Sequence, residues 1–594
     1  MKKIISILLL AACVLFTFSS CEEASYDEKY ADPGKAASAT LDKLMPGTLL
    51  YANDWVCSTY GRYFGYDPLC LGLQTNTLGV SLRSSSYYLG NLNYIDYGQP
   101  YNEYPKMVTN FRKMQQIYEE LPENEQAANE GYLIAAETHL YGVMIFLLSE
   151  YGPIPFEGIG QVALQGDISY ASPHFDDDQA LWTNILNRLG EIAAKFATIP
   201  KPASFAGQDF INGGDLVAWQ RYANSLRLRA ALRISTNGPL ASEGQRIIKE
   251  ILGNPSAYPI VESNDQNIDI SRQTSGPLNI EGGSGFDWPR ERFAAGEIIK
   301  RMQQAGNGGV WVPGQDDPRL PLMYCLATKN GETPVEKAEE EAIGDPLSAG
   351  MAIASVYRGT YYGESYDSFQ EHYTEVNDRG GYLSLVRRFG FFYGNQNWDH
   401  LAISAAEMHF IKAEAIQRGW VNGDAKAAFK EGIRQSVKLL FKYHNTRSRT
   451  EADNSDSNPR DGIQQRTNIN PDESVYNDTW ISAFGDARWE TRIDGSTYER
   501  GGKLEAILEQ KWLAYGYLNC GEQWSDLRRT GYPWMFYNQD NSSTALAPHP
   551  LNRLRYVDSE RNYNENYQAE AAPHDNYSEV LFWAKNDWHD GPTW

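Results

Sequence analysis

The residue types that most often carry catalysis are dispersed along this chain of 594 residues. Its nine histidines form no His-Glu-x-x-His motif, and the sequence contains neither a P-loop nor a dinucleotide-binding fingerprint. The run GGSGF at Gly282–Phe286 resembles the nucleophile turn of a serine hydrolase but lacks its final glycine. We therefore expect no catalytic residues, no metal site and no cofactor, and we interpret the protein as a non-enzyme.

Glycoside hydrolysis needs only a pair of carboxylates, so a chain rich in Asp and Glu leaves this reaction open. Glu407 and Glu414 lie two turns apart in an alanine-rich predicted helix and could form such a pair. We favour a structural interpretation, in which each carboxylate pairs with an arginine of a neighbouring helix. Asp453, Asp456 and Asp461 suggest a calcium loop, but their spacing departs from the EF-hand pattern, so we expect a solvated loop.

Three segments combine aromatic side chains with Asn, Asp, Gln or Arg. Sugars present an apolar face of C–H groups and a rim of hydroxyls, which suit rigid aromatic platforms flanked by polar groups. The segments are the loop between Leu73 and Pro100, the run GFDWPR and the run FFYGNQNWDH. By position alone, we predict these ligand-binding residues: Tyr87, Tyr88, Tyr94, Phe286, Trp288, Arg290 and Trp398. For each aromatic residue, the alternative is packing within its loop or contact with a partner protein.

The composition narrows the possible partners. The formal net charge is −23 and no cluster of Lys and Arg is dense enough for a basic patch, which argues against nucleic acid and anionic membrane surfaces. The 38 tyrosines exceed what a core needs, so many should lie at surfaces. The spacing of Cys57, Cys70, Cys325 and Cys520 indicates neither a disulfide framework nor a zinc site. We expect mostly buried thiols, and a disulfide between Cys57 and Cys70 stays open.

The N-terminus has the pattern of a lipoprotein leader. Two lysines precede an apolar run of about 15 residues, too short to span a bilayer, and two serines stand directly before Cys21. We predict a signal peptide over residues 1–20, acylation of Cys21 and a flexible tether over residues 21–39. The alternative is an ordinary secretory leader with an incidental cysteine. Later in the chain, the apolar run Gly142–Ser149 is too short to span and continues an amphipathic predicted helix.

Helical periodicity dominates residues 40–594, which we interpret as a single large, mainly α domain. The predicted helices form about four pairs and are interrupted by two loop-rich excursions, over residues 253–400 and 443–502. Before the closing segment, they cover Thr40–Tyr63 with a break at Pro46, Pro105–Glu120, Gln126–Ser149, Asp178–Ala197, Asp215–Ser235, Ala402–Gly419 and Asp424–Phe441.

The closing segment, Lys503–Pro533, is the most strongly patterned stretch. Its apolar residues from Leu504 to Leu518 recur at three- and four-residue steps, which predicts one face of a helix of about five turns. Glu505 and Glu509 are predicted to face outward. Gly521 is predicted to break the helix, and Gly531 and Pro533 to stop any continuation. We expect this segment to pack against helices formed much earlier in the chain.

The same segment resembles a known family. It contains an IL-x-QKW-x-A helix and a Glu-x-Trp-x-Asp-x-Arg-Arg-Thr-Gly-Tyr-Pro turn, followed by HPLNRLRYVDSERNYN. Upstream, LAISAAEMHFIKAEAIQRGW and DLVAWQRYANSLRLRAALRIS are similar to two further helices of that family. Together these motifs resemble the SusD/RagB family, and more narrowly its second SusD-like branch, the nutrient-binding outer-membrane lipoproteins of Bacteroidetes.

The resemblance implies a tetratricopeptide-like scaffold of helical pairs and a specific role. Such a protein binds a nutrient, with an oligosaccharide as the favoured cargo, and passes it to a SusC-like, TonB-dependent outer-membrane transporter. Glu22 and Glu23 behind Cys21 resemble the family signal for display on the cell exterior. The alternatives are a RagB-like peptide carrier, a surface glycoside hydrolase and a lid that binds no ligand itself.

Overall fold

The computed structural model describes residues 39–51, 71–81, 100–270, 292–305, 311–326, 384, 386–387, 400–445, 455–458, 463–535 and 551–588. The longer helices in this part of the chain are α1 (Leu41–Tyr51), α2 (Pro100–Glu120), α3 (Glu123–Tyr151), α4 (Asp178–Phe196), α5 (Leu216–Ile234), α6 (Ala241–Gly253), α7 (Ala405–Gln417), α8 (Ala425–Asn445), α9 (Asp478–Glu490), α10 (Lys503–Tyr515) and α11 (Cys520–Thr530).

Shorter elements connect these helices. The short α-helices are Gly72–Gln74, Gln161–Gln165, Phe205–Gln208, Gly296–Lys300, Arg319–Met323, Asp558–Tyr563 and Tyr567–Glu570, and the 3₁₀ turns are Ile168–Ala171, Asn264–Gln266, Glu473–Tyr476, Gly516–Leu518 and Ala572–His574. The strands are β1 (Leu78–Ser81), β2 (Ile268–Ile270), β3 (Arg292–Ala294), β4 (His400–Ile403), β5 (Ser455–Asn458) and β6 (Ile463–Thr467). They form three antiparallel pairs, β1 with β3, β2 with β4 and β5 with β6.

Consecutive helices pack as pairs, which confirms the predicted mainly α scaffold. α2 packs on α3, α4 on α5 and α7 on α8, while α1 packs against both α2 and α3. Asp215 caps α5, because its carboxylate accepts hydrogen bonds from the backbone N–H groups of Val217 and Ala218. The cap of α4 is Asp177, whose carboxylate accepts from the N–H of Ala180.

Helix α3 runs through the core rather than along its surface. Every residue from Gly131 to Tyr151 is buried, so the prediction of an amphipathic helix here is wrong. Among the described residues, α3 is the one helix long and apolar enough to cross a membrane, and its most apolar 18 residues lie wholly inside the protein. Core burial on all sides accounts for that composition.

The closing segment forms two helices where one was predicted. α10 ends at Tyr515, and α11 begins at Cys520 and continues through Gly521, which therefore does not break it. Gly521 faces the ring of Phe146 closely enough that an added Cβ would lie 3.1 Å from it. Gly531 has φ 75° and ends α11, as predicted. The segment packs against α7, α8 and α5, which confirms that it closes the scaffold.

The prediction that Glu505 and Glu509 face outward is wrong. Both side chains are 1% exposed, because arginines from outside the helix reach them. Arg492 donates to Glu505 at 2.5 Å and to Glu509 at 3.0 Å, and Arg301 donates to Glu509 as well. Two buried carboxylates are thus neutralised by ion pairs.

Three predicted boundaries also change. Pro46 lies inside α1, which continues past it to Tyr51. The helix predicted from Ala402 begins at Ala405, with Ser404 as its cap, because β4 occupies the preceding residues. The excursion over 443–502, predicted to be loop-rich, contains the β5–β6 hairpin and α9. Of the three aspartates considered for calcium, Asp456 lies in β5, opposite Arg466 of β6, and Asp453 and Asp461 lie outside the described residues.

Candidate functional site

All the predicted ligand-binding residues lie outside the described part of the chain. They are Tyr87, Tyr88, Tyr94, Phe286, Trp288, Arg290 and Trp398. Cys21, Cys57 and Cys70 lie outside it too. Residues 82–99, 271–291 and 388–399 lie outside the described part of the chain and are called the first, second and third loops below. The described residues that bound them are called the loop roots, and those used below are Ser81, Ile270, Arg292, Arg387 and His400.

The roots of the first and second loops are paired strands. β1 ends at Ser81, directly before the first loop, and β3 begins at Arg292, directly after the second. The two strands are antiparallel, and Ser81 and Arg292 are partners across the pair. The residue before the first loop and the residue after the second loop therefore lie next to each other.

The roots of the second and third loops are paired in the same way. β2 ends at Ile270, directly before the second loop, and β4 begins at His400, directly after the third. Ile270 and His400 are partners in the antiparallel pair. The first loop thus begins, and the second ends, on the β1–β3 pair. The second loop begins, and the third ends, on the β2–β4 pair.

The other end of the third loop is fixed to the scaffold by Arg387. Its side chain is 1% exposed and donates hydrogen bonds to the carbonyl oxygens of Pro321 and Ile469, each at 2.6 Å. Its backbone N–H donates to the Met323 carbonyl at 2.8 Å. Just before it, the Ser384 carbonyl accepts from the N–H of Ala294 in β3 at 2.9 Å. This end of the third loop is therefore tied to the root of the second.

The closing helices hold the root of the first loop. The indole N–H of Trp512 in α10 donates to the Thr75 carbonyl at 2.9 Å, and Gln523 Oε1 in α11 accepts from the Thr77 hydroxyl at 3.0 Å. The Gln523 amide also donates to the Trp512 carbonyl at 2.7 Å, which joins the two helices. The Tyr324 hydroxyl donates to the Thr77 carbonyl at 3.0 Å. Thr75 and Thr77 are fully buried, so the segment entering β1 is firmly placed.

Gln510, Lys511 and Trp512, the residues of the QKW motif, each contact a different part of the scaffold. Gln510 accepts from Arg319 at 2.6 Å, and Arg319 also pairs with Asp317 at 2.6 Å, so the short helix Arg319–Met323 is tied to α10. Lys511 pairs with Asp526 of α11 at 2.8 Å. Trp512 holds the first loop root. Sequence patterns indicated that Trp512 is buried but gave no signal for Gln523 or Arg387.

Glu407 and Glu414 are structural, as predicted. Glu407 accepts two hydrogen bonds from Arg229 of α5, at 2.6 and 2.5 Å, and Glu414 accepts two from Arg529 of α11, at 2.6 and 2.8 Å. Burial alone would raise the pKa of Glu414, but Arg529 and Arg418 hold it well below its usual range. A carboxylate that stays ionised in this way does not serve as a general acid near neutral pH.

Nothing in the described residues supports metal binding or thiol chemistry. There, no three His, Cys, Asp or Glu side chains cluster in a way that could hold a metal ion. Cys325 and Cys520 are buried, as expected for inert thiols. The contacts described above fix the roots of the three loops on the helical scaffold.

Comparisons with known proteins agree on one family and one fold. The SusD-like family model, described as "Starch-binding associating with outer membrane", matches residues 75–556. A SusD homolog from Parabacteroides distasonis is 19% identical, with a TM-score of 0.65 over 92% of this chain and 98% of its own. A chitin-binding SusD homolog from Flavobacterium johnsoniae is 17% identical, with a TM-score of 0.60 over 91% of this chain and 99% of its own. No protein with a curated description matches the sequence.

Proposed function

Since the chain belongs to the SusD-like family, we propose that it is a lipid-anchored, cell-surface protein that binds an oligosaccharide and delivers it to a SusC-like, TonB-dependent outer-membrane transporter. In this proposal residues 1–20 are removed as a signal peptide, Cys21 carries the lipid, residues 21–39 form the tether and residues 40–594 form the binding domain. The protein acts by binding alone and needs no cofactor.

The observation that carries the proposal is the shared origin of the three aromatic loops. Ser81 pairs with Arg292, and Ile270 pairs with His400, so the three loops leave the scaffold from neighbouring strands. In the sequence, Arg290 lies two residues before Arg292 and Trp398 two residues before His400. We therefore propose a composite sugar site built from all three loops.

Binding is better supported than hydrolysis. The one carboxylate pair that the sequence singled out, Glu407 and Glu414, is committed to Arg229 and Arg529 in the core. Glycoside hydrolysis needs two carboxyl groups facing each other across a cleft, with one of them able to give up a proton. A rigid frame carrying aromatic and amide side chains has the composition that sugar recognition requires.

The physics of tethering supports the proposed delivery step. A lipid anchor joined to a flexible tether keeps a binding domain at high effective concentration above a membrane partner, even when the two separate. Release to a transporter also requires modest affinity, because a tightly held ligand would stay on the carrier. The chitin-binding neighbour of the same fold supports a glycan as the cargo class.

The test is isothermal titration of the soluble chain beginning at residue 22 against a panel of oligosaccharides and mixed oligopeptides. We expect saturable binding to one glycan class, lost in Trp288→Ala and in the double variant Tyr87→Ala, Tyr88→Ala. Tyr563→Ala is the matched control, because it removes an aromatic ring that is 80% exposed on a segment carrying none of the three loops.

Two other results would redirect the proposal. Binding of peptides without binding of any sugar would contradict the glycan assignment. It would favour the RagB-like alternative, in which backbone hydrogen bonds in a groove dominate. Equal loss of binding in Tyr563→Ala and Trp288→Ala would move the site away from the three loops. Co-purification of the full-length protein with an outer-membrane barrel, lost in Cys21→Ala, tests the anchored delivery step separately.

A further inference from the structure

A small cavity lies where α10 ends, between the start of α7 and the middle of α8. Its volume is about 30 Å³, enough for one or two water molecules. Apolar side chains such as Leu439 and Leu518 form part of its wall, and the polar part is formed by Arg229, Ser404, Glu407, Ser436, Tyr515 and Asn519. Leu401 of β4, which follows the root of the third loop at His400, also lines the cavity.

Tyr515 lines this cavity. The residue is 7% exposed, and its hydroxyl oxygen is buried with no hydrogen-bond partner among the described residues. Burial raises the pKa of Tyr515, and the neighbouring carboxylates of Glu407 and Glu522 raise it further, so the hydroxyl stays protonated. Buried hydroxyls in folded proteins nearly always have a partner, so a ligand at this position accounts for the geometry.

The other polar groups of the wall define what that ligand can be. Arg229 is engaged by Glu407 and by the Ala402 carbonyl, at 2.7 Å for the carbonyl. Ser404 accepts from the Glu407 N–H at 3.2 Å, and Ser436 accepts from Arg319 at 3.3 Å. In these contacts both serine hydroxyls act as acceptors, so each keeps a proton to donate. Three hydroxyl donors next to the Glu407 carboxylate favour a neutral oxygen ligand over an anion.

We propose that this cavity is a binding site for ordered water, held by Tyr515 and the serine hydroxyls. One water has two lone pairs to accept from two hydroxyls and two protons to offer to acceptors in the wall. Bound there, it links the end of α10 to the turn at Ser404 that follows β4. The site therefore completes the polar framework under the third loop root.

The experiment is a high-resolution crystal structure of the chain beginning at residue 22, together with its Tyr515→Phe variant. We expect solvent density about 2.6–3.2 Å from the Tyr515 hydroxyl in the parent protein and its loss or displacement in the variant. The melting temperature of Tyr515→Phe should fall by about 1 °C or more, because a satisfied hydrogen bond is removed.

Two tyrosine controls frame this result. Tyr498→Phe removes a hydroxyl that donates to the Arg488 carbonyl at 2.8 Å, and should lower the melting temperature similarly. Tyr563→Phe changes an exposed ring and should leave the melting temperature unchanged. An empty cavity, or a Tyr515→Phe variant that melts at or above the parent temperature, would overturn the proposal.

Discussion

Ion pairs of the same chemistry occur in two regions of this protein with opposite surroundings. The first region is the buried network where α5, α7, α10 and α11 meet. There Arg529 pairs with Glu414 at 2.6 Å and with Asp526 at 2.9 Å, and the arginine side chain is 0% exposed. In the surface row, between α8 and α9, Arg434 pairs with Glu431 at 3.1 Å and with Asp478, and the arginine is 27% exposed. Each arginine serves two carboxylates, so the regions differ mainly in access to water.

The comparison shows what burial does to the same contact. In a low-dielectric interior a charge without a partner is costly, so the buried network fixes which helix lies beside which. Water takes over the role of either partner at the surface, so the surface row constrains little. Burial alone would raise the pKa of Asp526, yet Lys511 and Arg529 lower it overall. A lowered folded-state pKa contributes stability at neutral pH, and this contribution is lost as the pH falls through that value.

The largest effect is expected from Arg529→Ala. The change leaves Glu414 and Asp526 buried with one cation each, Arg418 and Lys511, and opens a cavity where the guanidinium lay. We expect the free energy of unfolding to fall by about 3–5 kcal/mol, as measured by urea denaturation of the soluble chain. A loss below about 1 kcal/mol, the range of exposed pairs, would erase the distinction between the two regions.

A neutral buried contact should cost less, and Gln523→Leu tests this at the first loop root. Gln523 is 1% exposed, and its loss leaves the Thr77 hydroxyl and the Trp512 carbonyl without this partner. We expect about 1–3 kcal/mol less stability and weaker glycan binding by titration. Gln165→Leu is the control, since Gln165 is exposed and its side-chain amide donates to Gln161 on the same helix. Full stability with unchanged binding would mean that Gln523 does not hold the loop root.

Asp178 sharpens the comparison because it is partly buried and, in the described structure, has no ion pair within 4 Å. Burial raises its pKa to about 6, with a smaller contribution from Asp177. A raised folded-state pKa makes ionisation of Asp178 destabilising at pH 7.5. This penalty shrinks as the pH falls below 6 and is gone below the ordinary value of 3.8. Asp178→Asn should therefore stabilise by about 1–2 kcal/mol at high pH and by less at pH 5. An equal gain at both pH values would show that the ionised carboxylate is not the cause.

The sequence predicts a feature of this fold where residues close in the chain determine it, and fails where distant residues do. The cap at Asp215, the start of α10 at Lys503 and the stop at Gly531 follow from a few neighbouring residues, and all are observed. Glu505 and Glu509 were predicted to be exposed because charged side chains usually are. Their burial depends on partners such as Arg301, which no local pattern can reveal.

The candidate site likewise has features that local sequence predicts and features that only distant contacts determine. Aromatic and polar composition was enough to nominate three loops from the sequence. Their common origin depends on the pairing of Ser81 with Arg292 and of Ile270 with His400, residues far apart in the chain. Strand register between such short segments is set by the helices that hold them, through contacts such as Trp512 to Thr75, and these contacts are visible only in the fold.

The smallest effect is expected from Arg434→Ala, the surface counterpart of Arg529→Ala. Asp478 keeps Lys438 at 2.8 Å and Glu431 remains hydrated, so the melting temperature should stay within about 1 °C of the parent. In 1 M salt the screening length falls to about 3 Å, and this small difference should vanish. The deficit of Arg529→Ala should persist in the same salt, because ions do not reach its carboxylates. If 1 M salt removed the stability deficit of both variants equally, the buried network would be open to solvent. Burial would then not explain the difference between the two regions.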